Sequence, residues 1–510
     1  MLGAALLAAA AAAATAAADA PCSAPCALLQ ATLSSVTCAT STYDFSWGNG
    51  ICEGILPACV VRPANASEVA AVVRTARAQN ASLSYRSGGH SYTCNSIKEH
   101  SIHLDLRSLD AVHQQRSKHY NGTELVFGSG NIMRGLIDAL QPGQTIVHGQ
   151  CPTVGAGGLF LHGGYHTTLT LDYGRGNDTV TWMEVVTADG DILQLSDESP
   201  PEQQDLWAAM RQAGSSFAIA TTIAAKVFDV GVGTTTDGGD FFAVDLPRSQ
   251  LLDMMDDSAS ERPGLPNYIN VNGADFLIAS ASKSFKDNAA WVEEHVLKRK
   301  LTSSEYLRSE AIHALEQIVS QEIGGSDKQF GKSGAVPYIF SSQEAFATVS
   351  FIMPIECYRK PAMKALLAAV PDHRDNTTDL GCYFQVTTTY GKDHAFVDYN
   401  CAYDSTYYRR KQKELNAAVK EICTTGMRHY VNTPSSFLTP RDYYPNYDDL
   451  AAIKSKWDAS ELFRVYQGVR PTGLPPDAYE FERPGYKRQR DIRDLLGEVG
   501  WDLLKKLHWL

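Results

Sequence analysis

The stretch Arg86-Ser87-Gly88-Gly89-His90-Ser91, read together with Cys151-Pro152-Thr153-Val154-Gly155-Ala156-Gly157-Gly158 and the following Gly163-Gly164-Tyr165, decides how this chain folds around its chemistry. Each run sets a nucleophilic side chain, an imidazole in one and a thiol in the other, beside glycine-rich backbone. Gly88 and Gly89 accept positive φ and let backbone N–H groups approach an anion with no Cβ in the way, so the first run reads as a phosphate nest. His90 beside it is either a buried, hydrogen-bonded ring or a nucleophile toward an electrophilic ring carbon. In the second run Gly155, Gly157, Gly158, Gly163 and Gly164 leave only backbone to face a flat ligand. Cys151 at its entrance is either a thiolate nucleophile or a cysteine of the core or of a disulfide.

Further motifs follow in order: Tyr173-Gly174, Asp178-Thr179-Val180, Glu184-Val185-Val186-Thr187-Ala188-Asp189-Gly190, and Asp205-Leu206-Trp207-Ala208-Ala209-Met210-Arg211 through Phe217-Ala218-Ile219-Ala220. Near the C-terminus stand Tyr447-Asp448-Asp449-Leu450, Trp457-Asp458 and Leu462-Phe463. This ordered set resembles the FAD-linked oxidases of the berberine-bridge-enzyme-like group, within the PCMH or vanillyl-alcohol-oxidase flavoprotein superfamily. The resemblance covers residues 55–232 and returns at the closing segment.

The resemblance implies an α+β fold, with a two-part PCMH-type FAD-binding domain and a substrate domain built on an antiparallel β-sheet flanked by helices. It implies FAD held covalently, with His90 matching the residue joined to the flavin 8α carbon and Cys151 the residue joined to C6. Arg86, Ser87, Gly88, Gly89, Ser91, Gly155, Gly157, Gly158, Gly163, Gly164, Asp178, Val180 and Asn432 are the other positions expected at the cofactor. Val154 matches the position where a small side chain leaves room for O2, and it also reads as a residue that packs a strand or turn. Tyr430-Val431-Asn432 resembles the family's Tyr-x-Asn segment, which makes Tyr430 the first choice of base, helped by Asp398. The segment to Tyr447 is rewritten here, so Tyr443 or Tyr444 is an alternative, and a structural tyrosine corner is the competing reading. His162 and His166 stand where the family usually has glycine, and Gly214-Ser215-Ser216 where it has a glycine run.

The implied reaction is removal of an acidic proton as hydride passes from substrate to flavin N5, followed by reduction of O2 to H2O2. Alternatives are a carbohydrate oxidase of the same family, a dehydrogenase that passes electrons to a carrier, and a flavin-binding scaffold without net turnover. Aromatic-rich strands and the lack of a clustered cationic pocket in the sequence lean toward a neutral, partly apolar secondary metabolite.

With 510 residues, 44% hydrophobic and 20% charged, the chain has material for more than one lobe. A net charge of −12 argues against nucleic acid or an anionic membrane as partner. No motif predicts a metal site. Residues 1–18 are nearly all alanine and leucine and read as a signal peptide, which predicts secretion, and no later segment has the roughly twenty apolar residues of a membrane span. Of the eleven cysteines, setting Cys151 aside leaves ten, an even number that permits five disulfides, and those from Cys22 to Cys59 read as a stapled N-terminal segment. Asn65, Asn80, Asn121, Asn177 and Asn376 open glycosylation sequons, with Asn177 inside a cofactor motif and expected to be buried.

The expected organisation is a Cys-rich segment at 19–54, the FAD-binding domain at 55–232, a substrate domain at 233–425, a segment returning to the FAD domain at 426–470, and a linker with an amphipathic helix at 471–510. Local patterns predict a helix over 67–80 capped by Ser67, and strands at 101–106, 125–128 and 181–187 with a helix at 133–140. Helices are predicted at 289–298 and 305–320, a loop at 324–334, and antiparallel strands at 338–353, 382–390 and 394–403. In the last of these Asp398 and Asn400 share one face, opposite Tyr399, Cys401 and Tyr403, and the alternation leaves open which face meets the site.

Overall fold

The computed structural model describes residues 22–38, 40, 43, 52, 54–149, 153–166, 169–229, 240–243, 249–250, 252–253, 268–272, 274–278, 289–290, 292–302, 306–308, 347–370, 382–387, 393–401, 406–435 and 437–476. Cys151, the 1–18 segment, the 324–334 loop and the 491–510 helix lie outside the described residues.

Three strands that are buried along most of their length, Cys59–Val61, Ile102–Asp105 and Leu83–Arg86, pair in parallel, and the short strand Val36–Thr37 joins antiparallel at the edge. Both faces of these strands are largely buried, and the polar side chains they carry, Ser84, Arg86, His103 and Asp105, are buried with them. The helix Ala66–Ala78 lays Val69, Val72, Val73 and Ala76 against Ile102 and Leu104 of this sheet and against Val186 and Ile219 of the next. Its N-cap is Asn65, not Ser67: Asn65 Oδ1 accepts from Glu68 N at 3.0 Å while Glu68 Oε2 accepts from Ala64 N at 3.0 Å. This reciprocal pair satisfies two donors at the helix start, whereas a cap at Ser67 would start the helix two residues later.

A second sheet is fully antiparallel, in the order Val112–Arg116, Thr123–Gly128, Ile219–Lys226, Val180–Val186 and Ile192–Ser196. The third has seven strands among the described residues, ending in Cys382–Thr387, His394–Cys401 and Ala347–Pro354, all antiparallel. Residues 306–308, predicted helical, form an edge strand of this sheet paired with Asp240–Ala243. Tyr306-Leu307-Arg308 fits a pleated edge as well as a helix, and pairing with a neighbouring strand decides between them. The mixture of parallel and antiparallel sheets with packed helices is the α+β architecture expected. Among the described residues no helix is long and apolar enough to cross a membrane.

Disulfides join Cys22–Cys38, Cys26–Cys59, Cys52–Cys94 and Cys357–Cys423, and Cys401 is also disulfide-bonded. Two of them staple the N-terminal segment as expected. The third reaches further, tying Cys52 to the loop that follows His90.

The helix Tyr447–Trp457 and the residues after it return to the first two sheets. Lys454 is fully buried, and its ammonium donates to Asp458 Oδ2 at 2.5 Å, to the Ser216 carbonyl at 2.5 Å and to the Phe463 carbonyl at 3.3 Å. Trp457 Nε1 adds a bond to Asp205 Oδ1 at 3.1 Å. Burial lowers the Lys454 pKa and the Asp458 charge offsets part of that. Lys454→Ala strands the Asp458 carboxylate in the interior, an effect of about 3–5 kcal/mol. The expected outcome is a large drop in the denaturation midpoint, with Asp458→Asn in the same background restoring part of it.

Candidate active site

The strand Leu83–Arg86 delivers the first glycine run directly into contact with the second. A Cβ placed on Gly88 would lie 2.5 Å from Gly155 N, and one on Gly155 would lie 2.2 Å from Gly88 N and 2.4 Å from Ser87 Oγ. The two loops therefore touch backbone to backbone, and any side chain at either position would force them apart. Ser87 Oγ completes the seam, donating to the Ser129 carbonyl at 2.6 Å and accepting from Gly157 N at 3.3 Å.

Across this seam His90 Nε2 bonds Thr153 Oγ1 at 2.9 Å, leaving Nδ1 as the other ring nitrogen. Burial pushes the His90 imidazole down to about 4, so it is neutral at physiological pH. Arg86, beneath the loop, belongs to a buried cluster in which Asp105 accepts from Arg107 Nε at 2.9 Å, lies 3.5 Å from Arg86, and accepts from Tyr43 OH at 2.6 Å. Burial alone would raise the Asp105 carboxyl, but the two guanidinium groups outweigh it and hold it well below the usual range.

These loops line one face of a cavity of about 390 Å³. All six residues of the 86–91 run border it, as do Val154, Gly155, Gly157 and Gly158. A Cβ on Gly158 would meet nothing within 4 Å, so this backbone opens onto the cavity. The same cavity is also bordered by residues remote in sequence, Asp398, Tyr430, Asn432 and Tyr444, and by Tyr165.

Strand alternation places Asp398. On His394–Cys401, Ala395, Val397, Tyr399 and Cys401 point into a hydrophobic core, so Phe396 and Asp398 point the other way. The Phe396 ring lies 4.6 Å from Tyr165 and 5.5 Å from Tyr430, centroid to centroid. Asp398 accepts from Asn400 Nδ2 at 2.6 Å and from Thr348 Oγ1 at 3.2 Å, and burial outweighs both bonds to raise its pKa to about 7. A carboxyl poised near neutrality in a cavity wall is suited to taking a proton and releasing it again.

The Tyr430 hydroxyl accepts from Asn432 Nδ2 at 3.0 Å, and the same amide reaches the His162 carbonyl at 3.3 Å. Tyr443 instead has its hydroxyl on the backbone of Ser435, accepting from N at 2.7 Å, which is the structural corner role. Tyr444 lines the cavity and is buried.

Four expected cofactor positions lie away from this cavity. Gly163 and Asp178 border a neighbouring cleft, Gly164 presses on Leu159, and Val180 is in the core. Asp178 is held there by Arg175, whose Nε lies 3.0 Å away. Of the two unusual histidines, His166 is hydrogen-bonded internally, accepting at Nδ1 from Leu169 N at 3.2 Å, and its ring meets His148 edge-on at 4.6 Å. His162 borders both cavity and cleft. Asn177 is buried, with Nδ2 donating to the Arg211 carbonyl at 2.6 Å, which closes that sequon to glycosylation.

Sequence reasoning missed Thr153, Tyr165 and Phe396. Thr153 stood in the quoted motif two residues before Gly155, and Phe396 stood two residues before Asp398 on the same face. It also saw no clustered cationic pocket, yet the fold gathers Arg175, Arg211 and Arg428 around the neighbouring cleft. These come from three distant segments, so no window along the chain could show them together.

Residues 57–196 match the family model described as an FAD binding domain, and residues 429–470 match the one described as berberine and berberine like. The (R)-6-hydroxynicotine oxidase of Paenarthrobacter nicotinovorans is 33% identical over 175 residues, 34% of this chain and 36% of that protein. A VAO-type flavoprotein oxidase of Thermothelomyces thermophilus is 31% identical over 184 residues, 35% of this chain and 32% of that protein. The chain thus spans about a third of these curated relatives' length. The solved glucooligosaccharide oxidase of Acremonium strictum superposes with a TM-score of 0.69 at 20% identity, covering 90% of this chain and 100% of that one. A further structure of that oxidase, TM-score 0.67 at 19% identity over 89% of this chain and 100% of that one, is described with a 6-S-cysteinyl, 8α-N1-histidyl FAD.

Proposed function

We propose that the chain, which carries matches to the FAD binding domain and to the berberine and berberine like model, is a berberine-bridge-enzyme-like flavoprotein of the PCMH superfamily and an FAD-dependent oxidase of a small alcohol-bearing organic molecule. The observation that carries this reading is the convergence of His90, Val154, Asp398 and Tyr430, from four separate segments, on one cavity.

The residues present fit FAD. The glycine seam at Gly88 and Gly155 brings backbone to the cavity edge, and Gly158 opens onto it with no side chain in the way. Residues 86–91 and 155–158 would hold the cofactor through their backbone, with the Arg86–Asp105 pair buried beneath the first run and Ser87 keeping the two runs joined. His90 would tether it: its ring is neutral, and the bond to Thr153 holds Nε2 and turns Nδ1 outward as the nucleophile. Cys151, three residues before Val154, would supply the second tether as a thiolate. When bound, FAD takes up hydride from the substrate and passes its electrons to O2, giving H2O2.

In this reading Asp398 is the base that accepts the substrate O–H proton, and Tyr430, held by Asn432, orients the substrate oxygen. Tyr165 borders the cavity with the buried Phe396 ring packed against it, and this aromatic side suits a neutral, partly apolar substrate. Val154 leaves O2 room to approach. The disulfides support a life in an oxidising compartment, and we infer secretion.

The purified protein should be yellow and keep its colour through acid precipitation. Under anaerobic conditions one alcohol of a panel of aromatic, allylic and carbohydrate alcohols should bleach it, and air should restore the colour with release of H2O2. A colourless protein expressed with FAD available would refute the cofactor assignment. Bleaching without H2O2 on re-aeration would make it a dehydrogenase, and bleaching by carbohydrates alone would overturn the apolar substrate.

A further inference from the structure

Behind the wall formed by His162, Tyr430, Val431 and Tyr444 lies a second cleft of about 430 Å³, within the roughly 300–1,000 Å³ of small-molecule sites. It draws Arg175, Asn177 and Asp178 from one segment, Arg211 and Gln212 from the helix Gln204–Ala213 and its neighbourhood, and Arg428 and His429 from the C-terminal segment. None of this is used in the proposed oxidation.

Several of its polar atoms are buried and have no hydrogen-bond partner: His429 Nε2, Asn177 Oδ1, His162 Nδ1 and Arg211 Nε. His429 is 2% exposed and Asn177 6%, so water does not satisfy them freely. Groups of this kind are normally paired in folded proteins, and these four belong to residues that border one cleft.

Their chemistry narrows it. His429 Nδ1 faces the Ser350 carbonyl at 2.5 Å and must donate to it, so in the neutral ring Nε2 is an acceptor. Burial holds that ring near a pKa of about 4, hence neutral. Asn177 Nδ2 donates to Arg211, which leaves Oδ1 as an acceptor. The His162 ring bonds the Gln212 backbone, and burial likewise holds it neutral at about 4, so Nδ1 is a third acceptor. Three acceptors call for hydroxyl donors. The cations are not all neutralised: Arg175 is taken by Asp178, but Arg211 lies 3.8 Å from Asp197, a carboxylate with its side chain 82% exposed, and stacks over Trp207 at 4.3 Å. Among the described residues Arg428 has no ion pair.

We propose that this cleft binds a small hydroxylated carboxylate of the sugar-acid type, with Arg211 and Arg428 receiving the carboxylate and His429, Asn177 and His162 accepting from its hydroxyls. Inorganic phosphate satisfies the cations but sets its oxygens against the three acceptors. A neutral polyol satisfies the acceptors and leaves the guanidinium groups unanswered.

The test is calorimetric titration of the flavin-loaded protein with D-gluconate, D-glucose and inorganic phosphate. Saturable one-to-one binding of gluconate is expected, with glucose and phosphate at least about tenfold weaker. Arg428→Gln and Arg211→Gln should each weaken gluconate by about tenfold or more, as loss of a charge-assisted hydrogen bond implies. Both replace partly exposed side chains, and an unchanged melting temperature checks the fold. His429→Phe, which keeps the ring and loses the acceptor, should weaken gluconate and leave phosphate alone. Absence of saturable gluconate binding, indifference to both arginine variants, or equal affinity for glucose or phosphate would each overturn the proposal. Binding is read without turnover, so this result is separate from the fate of the oxidase assignment.

Discussion

Replacing Asp398 with asparagine is expected to lower kcat/KM by about two to four orders of magnitude, the usual worth of a positioned base. The sign of the pH dependence follows from burial. The carboxyl is raised from 3.8 to about 7 and acts as a base only when ionised, so kcat/KM should rise with pH through about 7 and level off above it. Asp398→Asn should remove that limb. If the same inflection persists in the variant, the base is another group.

A stability measurement checks the same cause independently. Below about pH 4 the carboxyl is protonated in both folded and unfolded chains and costs nothing. As pH rises from about 4 through 7 the unfolded chain releases its proton and the folded one does not, so stability falls, by roughly 4 kcal/mol for a shift of about three units. Asp398→Asn carries no such charge. It should therefore equal or exceed the parent in stability at pH 8 and lose that advantage at pH 4. Equal stability differences at both pH values would mean that the site is not desolvated.

The second large effect concerns the cofactor tethers. His90→Ala and Cys151→Ala should each keep flavin in the acid-precipitated protein through the remaining bond, whereas the double variant should release all of it. Complete release from either single variant would rule out two links. Thr153→Val tests the orienting bond: without the hydroxyl that occupies Nε2, attachment through His90 should slow while Cys151 attachment proceeds, visible in a Cys151→Ala background as partial flavinylation.

Much of the cofactor side of the site was legible along the chain, because it is built from short contiguous runs. Gly88, Gly155 and His90 announce themselves by type and neighbourhood, and the structure adds that the two runs touch so closely that no Cβ fits between them. The substrate side was legible only in part. Alternation on the 394–401 strand showed that Asp398 and Asn400 share a face, a property of the pleat. Which face turns toward the cavity depended on where Val397, Tyr399 and Cys401 found a core, and that core is assembled from Val349, Phe351, Leu367 and Val419 on other elements. Along the chain Tyr430 is the first choice of base and Tyr443 or Tyr444 the alternative, and only the fold distinguishes their surroundings: Tyr443 is committed to Ser435, while Tyr430 and Tyr444 border the cavity.

The sequence by itself determined the resemblance to the family, the α+β class and the two glycine runs with the candidate nucleophiles beside them, since each rests on local residue chemistry and order. Tertiary structure alone decided that Asp398 lies desolvated beside the cavity that His90 also borders, that Thr153 bonds the imidazole, and that Arg211, Arg428, His429 and Asn177 meet around the neighbouring cleft. Those outcomes depend on packing between segments separated along the chain, by 63 residues for Thr153 and His90, and burial, which sets both the carboxyl's pKa and the unmet hydrogen bonds beside the second cleft, exists only once that packing is made.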